Sequence, residues 1–240
     1  MTELLFREDA YCRSCSARVL AADERGITLD RTVFYPAGGG QPGDTGTLRL
    51  ASGEEIAIVD TKKGDLADEV IHLPSPGAAL PLPGTALEAA IDWQRRHRLM
   101  RMHSSLHLLC SLVPGAVTGG QVADGKGRLD FDVPGSSLDK EELAARLNAL
   151  VAAAHPIRAF FIDEEELLQK PDLVRTMKVK PPMGSGRVRL IEIEGIDLQP
   201  CGGTHVRNTA EIGPILLAKI ENKGRQNRRI ALAFAESPLS

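Results

Sequence analysis

The 240-residue chain is short of cysteine, of long apolar runs and of net charge, and each shortage removes a class of protein. Four cysteines (Cys12, Cys15, Cys110 and Cys201) are too few and too scattered for a disulfide scaffold, which leaves metal binding or simple burial. No apolar stretch reaches the length of a membrane span, and the opening "MTELLFREDA" lacks the basic flank and apolar core of a signal peptide. A cytoplasmic protein with no membrane contact is expected. A net charge of -3 argues against indiscriminate binding to nucleic acid. Internal repeats and low-complexity tracts are absent as well.

What is present describes a soluble globular chain, 42% hydrophobic and 25% charged, long enough for one large domain or two modest ones. Two is the better reading. From Ala17 to about Ala90, short alternating segments ("ARVLAA", "GITLD", "RTVFYP", "TGTLRL", "EEIAIVD", "EVIHL") separated by turn residues predict a small barrel or sandwich. The proline-rich "LPSPGAALPLPG" breaks that pattern and places a domain boundary just beyond it, giving residues 1–90 and 91–240.

After Asp92, a plausible N-cap, a helix runs to Pro114 with Leu99, Met102, Leu106, Leu109 and Val113 as its apolar stripe. A glycine-rich stretch follows, then a strand at "RLDFDV" and a capped helix at "LDKEELAARLNALVAAAH". Strands at "IRAFFI", "GRVRLIEIEGIDL", "PILLAKIE" and "RRIALAF", with a short helix at "DEEELLQK", complete a second half of helices interleaved with strands. The fold class expected is therefore α+β, a small N-terminal β-barrel domain followed by an α/β two-layer domain.

Two short motifs hold the chemistry. "HSSLH" sets His103 and His107 one helical turn apart, and "CGGTH" sets Cys201 and His205 at the same spacing across two glycines. Imidazole and thiolate are the donors zinc prefers. Either pair alone is weak evidence, since two histidines match often; joined, they favour one metal site. Ser104 stands where an HExxH peptidase carries its general-base glutamate, so peptidase chemistry is not expected. Cys12 and Cys15 form a CxxC without a second CxxC to complete a four-sulfur site. The segment "FYPAGGGQPGDTG" lacks the Gly-Lys-Ser/Thr ending of a phosphate loop and precedes a strand, leaving either a tight turn or a close approach by another backbone, that of RNA included. Two basic clusters, Arg95, Arg96, Arg98 and Arg101, and Lys219, Lys223, Arg225, Arg228 and Arg229, are either solvated faces or a localised phosphate contact.

"HSSLH", "CGGTHV" and "FYPAGGGQPGDTG", in this order and at these separations, resemble the alanyl-tRNA editing family: the editing region of alanyl-tRNA synthetase and the freestanding AlaX proteins. The resemblance covers nearly the whole chain and implies the freestanding form, since no synthetase active site is evident. It implies one zinc ion on His103, His107, Cys201 and His205, and hydrolysis of the ester joining a wrong amino acid, serine first and glycine next, to tRNA(Ala). No obligate protein partner is implied. By position it brings Gln121 and Thr204 to the catalytic pocket beside Cys201, and Gly38, Gly39, Gly40, Gln41 and Asp44 to the pocket or the RNA end. Arg95, Arg96, Lys223, Arg225 and Arg228 correspond to the basic surface for the acceptor stem. One departure is Leu106, where many relatives carry a threonine able to bond serine's hydroxyl; Thr204 could supply a hydroxyl instead. A rival of another class is a zinc-stabilised RNA-binding module without catalysis, and a third is a hydrolase of a small ester or amide.

Overall fold

The computed structural model describes residues 2–66, 68–133, 138–169, 186–224 and 227–235. Contacts gather the chain into two compact units, Met1–His97 and Arg98–Ser240. The first unit runs β1 (Glu3–Leu4), α1 (Leu5–Glu8), β2 (Ser14–Asp23), β3 (Gly26–Leu29), β4 (Arg31–Thr32), β5 (Gly46–Leu50), β6 (Glu55–Lys63), β7 (Val70–Pro74) and β8 (Ala86–Ile91). Six of these close into a barrel in the order β2-β3-β7-β6-β5-β8, which removes every exposed edge. The expected small barrel is thus present, and the sandwich alternative is not. Period-two alternation builds it: Ala17 and Val19 on β2, Ile56 and Ile58 on β6, and Leu87, Ala89 and Ile91 on β8 all point into one core with Ile27, Leu29, Phe34 and Leu48.

Two segments of this unit differ from the sequence reading. Arg31 to Pro36 reads as one strand but is strand only at Arg31–Thr32, because side chains take over the ladder: the Phe34 amide donates to Thr32 Oγ1 and the Tyr35 amide to the Asp44 carboxylate. The residues after the proline-rich run, for which no strand is read, supply β8, the strand that closes the barrel against β2 and β5.

His72 on β7 sits fully inside this unit. Its Nδ1–H donates to the Ile27 carbonyl at 2.9 Å and its Nε2 accepts from the Thr32 hydroxyl at 2.8 Å, so the neutral ring is satisfied at both ends. Burial pushes its pKa down to about 4. The unfolded chain therefore takes up this proton first, and stability present above pH 6.5 is lost as pH falls toward 4, by about 3 kcal/mol at most. Urea midpoints measured between pH 7 and 4.5 should fall more steeply for the wild type than for His72→Asn.

The second unit contains most of α2 (Trp93–Leu112), then β9 (Ala116–Ala123), β10 (Lys126–Asp132), α3 (Lys140–Ala152), β11 (Ile157–Asp163), α4 (Glu164–Leu168), β12 (Arg187–Ile193), β13 (Asp197–Pro200), a 3-10 turn at Thr209–Ile212, β14 (Ile215–Asn222) and β15 (Asn227–Phe234). Asp92 caps α2, accepting from the Arg95 amide at 3.1 Å, and Asp139 caps α3, accepting from Glu142 at 2.8 Å. Two antiparallel sheets result, β14-β15-β10-β9 and β11-β12-β13. The expected stripe of Leu99, Met102, Leu106, Leu109 and Val113 is buried, but so is every residue from Met102 to Cys110, so α2 is a core helix on all sides over this stretch. The glycine-rich segment that reads as a loop is the strand β9. Gly120 is required there by its ladder partner, since a Cβ on it would lie 2.8 Å from Leu129 Cδ2.

Candidate metal centre

The four motif residues converge within the second unit: one donor atom from each of His103, His107, Cys201 and His205 lies within 4.8 Å of all the others. The first pair is brought together by helical spacing on α2. The second comes from the turn that follows the β12–β13 hairpin. Arg189 of β12 holds that turn, its Nη1 donating to the carbonyls of Cys201 at 2.9 Å and Gly203 at 2.8 Å, while the Cys201 amide donates back to the Arg189 carbonyl. The Gly203 amide points at the sulfur, 3.4 Å from Sγ.

Cys201 Sγ lies 3.3 Å from His205 Nε2 and 3.6 Å from His103 Nε2. Tetrahedral neighbours at ordinary Zn–N and Zn–S lengths are separated by about 3.3 to 3.6 Å, so these two spacings suit a borderline-soft ion, and the wider donor pairs need only close in on it. The protonation states suit it too. Burial disfavours the Cys201 thiolate, but facing His103 and His205 outweigh that and hold the thiol well below its usual range. Burial, with His103 beside it, keeps His205 neutral. His107 is the exception: burial works against its charge, but Asp197 and Cys201 raise it to about 9. A metal entering this site must displace that proton.

Outside the four donors, each of two histidines has a polar neighbour on its other ring nitrogen. Asp197 Oδ2 lies 3.6 Å from His107 Nδ1 and is itself held at 2.5 Å by Gln199 Nε2. The Ser104 hydroxyl lies 3.2 Å from His205 Nδ1 and accepts from the Val206 amide at 3.2 Å. Sequence reasoning missed Arg189, Asp197 and Gln199, and saw Ser104 only as a missing glutamate. The one available signal was the position of Ser104 inside "HSSLH".

Other expected site residues lie elsewhere. Gln121 is not brought to the donors. Gly127 faces α2, where a Cβ on it would meet Met102 at 2.9 Å and Leu106 Cδ1 at 3.1 Å; its neighbour Arg128, paired across the ladder with Gln121, therefore faces away. Gln121 is exposed on that far face and accepts from Arg128 Nε at 3.3 Å. Leu106 and Thr204 are both buried, Leu106 in the space that Gly127 leaves open.

In the first unit Arg96 and Asp44 are buried against each other. Arg96 Nε lies 3.0 Å from both Asp44 oxygens, Nη2 closes a shorter contact, and the remaining donors reach the carbonyls of Ala10 and Val33. With 0% and 1% of these side chains exposed, neither presents a surface to RNA, because each neutralises the other. Gly38 to Gln41 form a tight turn with paired backbone bonds of 3.0 Å and positive φ at Gly39 and Gly40. Gln41 is buried, while Gly39 and Gly40 are exposed. Gly43 answers a different demand, since a Cβ there would lie 2.1 Å from the Thr61 carbonyl oxygen. Gly43→Ala should therefore cost several times the roughly 1 kcal/mol expected for Gly39→Ala, where only the backbone angle resists, and thermal unfolding of the two variants checks it. Arg95 is half-buried with Nη1 on the Gly43 carbonyl, Lys223 is exposed, Arg228 is partly exposed, and Arg225 lies outside the described residues.

Comparison with known proteins decides the family. The alanyl-tRNA editing protein AlaX-M of Methanosarcina acetivorans is 37% identical over 239 residues, covering 96% of this chain and 98% of the relative. The chain belongs to the AlaX family of alanyl-tRNA editing proteins. The AlaX-M of Saccharolobus solfataricus matches at 35% identity over 96% of this chain and 98% of its own length. The alanine–tRNA ligase of Sulfurisphaera tokodaii is 35% identical over 92% of this AlaX chain but only 25% of its own length. The "Threonyl and Alanyl tRNA synthetase second additional domain" matches residues 188–231, which include Cys201, His205, Arg189, Asp197 and Gln199. The "tRNA synthetases class II (A)" family matches residues 10–95, the barrel. Among the described residues of this AlaX chain, no helix is long and apolar enough to cross a membrane.

Proposed function

We propose that this chain is a trans-editing hydrolase that cleaves the ester of mischarged tRNA(Ala), seryl first and glycyl next, at a zinc ion held by His103, His107, Cys201 and His205. The observation that carries it is the convergence of these four donors in a chain similar end to end to AlaX-M proteins. The need is physical: a synthetase pocket for alanine discriminates weakly against glycine, which is smaller, and serine, which adds only a hydroxyl, so a second site must remove the errors. A zinc ion bound there supplies Lewis-acid polarisation of the ester carbonyl and a lower pKa for water.

The chain's own residues supply the rest. Arg189 and the Gly203 amide hold the Cys201 turn. Thr204, buried next to His205, places a hydroxyl beside the donors where Leu106 brings none. Lys223, Arg228 and Arg95 carry the positive charge that a phosphate backbone requires, and Gly39 and Gly40 present exposed backbone to the RNA end. Arg96, Asp44 and Gln121 are not part of this proposal, for the geometric reasons given above. Cytoplasmic location and tRNA as the macromolecular partner follow from the same reading. Single-turnover deacylation of Ser-tRNA(Ala), Gly-tRNA(Ala) and Ala-tRNA(Ala) tests it. Loss of the seryl or glycyl ester with sparing of the alanyl ester is expected. Survival of all three esters while tRNA still binds would replace it with an RNA-binding module built on a structural metal, a reading that four protein donors also favour.

A further inference from the structure

Four protein donors describe a closed site, whereas a metal that acts on substrate needs a position that opens. The far sides of the histidines differ in a way that bears on this. His107 Nδ1 has a buried carboxylate for a neighbour, Asp197, whose side chain is 0% exposed and is fixed by Gln199. At 3.6 Å the carboxylate is at ion-pair distance, and among the described residues that buried nitrogen has no hydrogen-bond partner, so the carboxylate is its charged neighbour. Among the described residues, His205 Nδ1 faces the hydroxyl of Ser104, which is already an acceptor for the Val206 amide. A carboxylate behind an imidazole fixes its tautomer, orients its ring and raises its basicity as a ligand; a neutral hydroxyl orients the ring but adds little basicity.

We infer that the donors are unequal: Asp197, acting through His107, makes that histidine a permanent ligand, whereas His205, backed only by Ser104, is the donor that gives way to substrate or water. His205 lies on a turn outside any helix or strand, next to Gly202 and Gly203. His107 lies in mid-helix, on a stretch of α2 buried on all sides, and cannot withdraw without disturbing the core. Asp197 is thus a positioning residue, and Gln199 fixes it in turn. This inference rests on the proposed metal site but not on the proposed substrate.

The experiment is zinc affinity of the full-length chain, measured by competition with a chromophoric chelator, with the visible spectrum of the cobalt-substituted protein as a second readout. Unfolding of the metal-free forms is the control for structure. Asp197→Asn, which keeps the shape and removes the charge, should lower zinc affinity by about 10- to 100-fold. Gln199→Leu should act in the same direction but less, and it serves where an Asp197 variant fails to fold. His205→Ala should keep one zinc per chain, with a cobalt spectrum that changes on adding imidazole, whereas His107→Ala should lose stoichiometric metal. Equal losses in His205→Ala and His107→Ala, or unchanged affinity in both Asp197→Asn and Gln199→Leu, would overturn the ranking while leaving the metal site intact. A folded wild type that binds no zinc would overturn the proposed function itself.

Discussion

Replacing Cys201 with alanine is expected to lower zinc content sharply and to slow deacylation of Ser-tRNA(Ala) by at least about a hundredfold, equivalent to roughly 2.7 kcal/mol of barrier. The size of the effect follows from position. Cys201 Sγ is the atom on which the other donors centre, 3.3 Å and 3.6 Å from two of them, and it is the only anionic donor of the four. Without it, three imidazoles with ring centroids 4.3 to 5.3 Å apart remain, neutral donors without the anionic sulfur that strengthens the hold on a divalent cation. Zinc content by atomic absorption and single-turnover deacylation, measured on the same preparation, check it. Loss of metal with retained activity would show that the reaction does not depend on the ion.

The second large effect is on stability. Arg96→Met or Asp44→Leu alone should cost about 3 to 5 kcal/mol, because each leaves a buried charge without its counterpart. The double variant should cost less than the two added together, as both charges leave at once. It will not return to wild type, since the Tyr35 amide loses the Asp44 oxygen it donates to at 2.6 Å, and the Ala10 and Val33 carbonyls lose Arg96. Urea unfolding of the three variants measures this coupling. If Arg96→Lys weakened tRNA binding with no change in unfolding, the burial of Arg96 would not describe its role.

These two predictions also mark where the sequence was readable. The four candidate donors were legible because helical spacing places His103 and His107 on one face whatever the rest of the chain does, and because a second Cys/His pair at the same spacing joins them. The barrel was legible through alternation on strands such as β6, where Ile56 and Ile58 are buried between exposed Glu55, Ala57 and Val59. Arg96 was not, because its partner lies 52 residues away and a cluster of four arginines gives no sign that one of them turns inward. Gln121 was not, because which face of a strand a residue occupies depends on register, and the glycines around it hid the strand altogether. Asp197 and Ser104 neighbour histidines 90 and 101 residues away in sequence, and apart from the position of Ser104 inside "HSSLH" no local pattern announces such a contact.

The two halves of the metal centre are separated by about a hundred residues of chain, 98 between His103 and Cys201. An ion held across that distance acts as a reversible cross-link, closing a loop of nearly half the protein. Because only the folded chain assembles the four donors, metal at a roughly thousandfold excess over its dissociation constant would add about 4 kcal/mol to stability. Chelation would then reduce resistance to heat and to proteases together with turnover. If the ion is the proposed zinc, a cell short of it would face a smaller pool of the protein as well as a less active one.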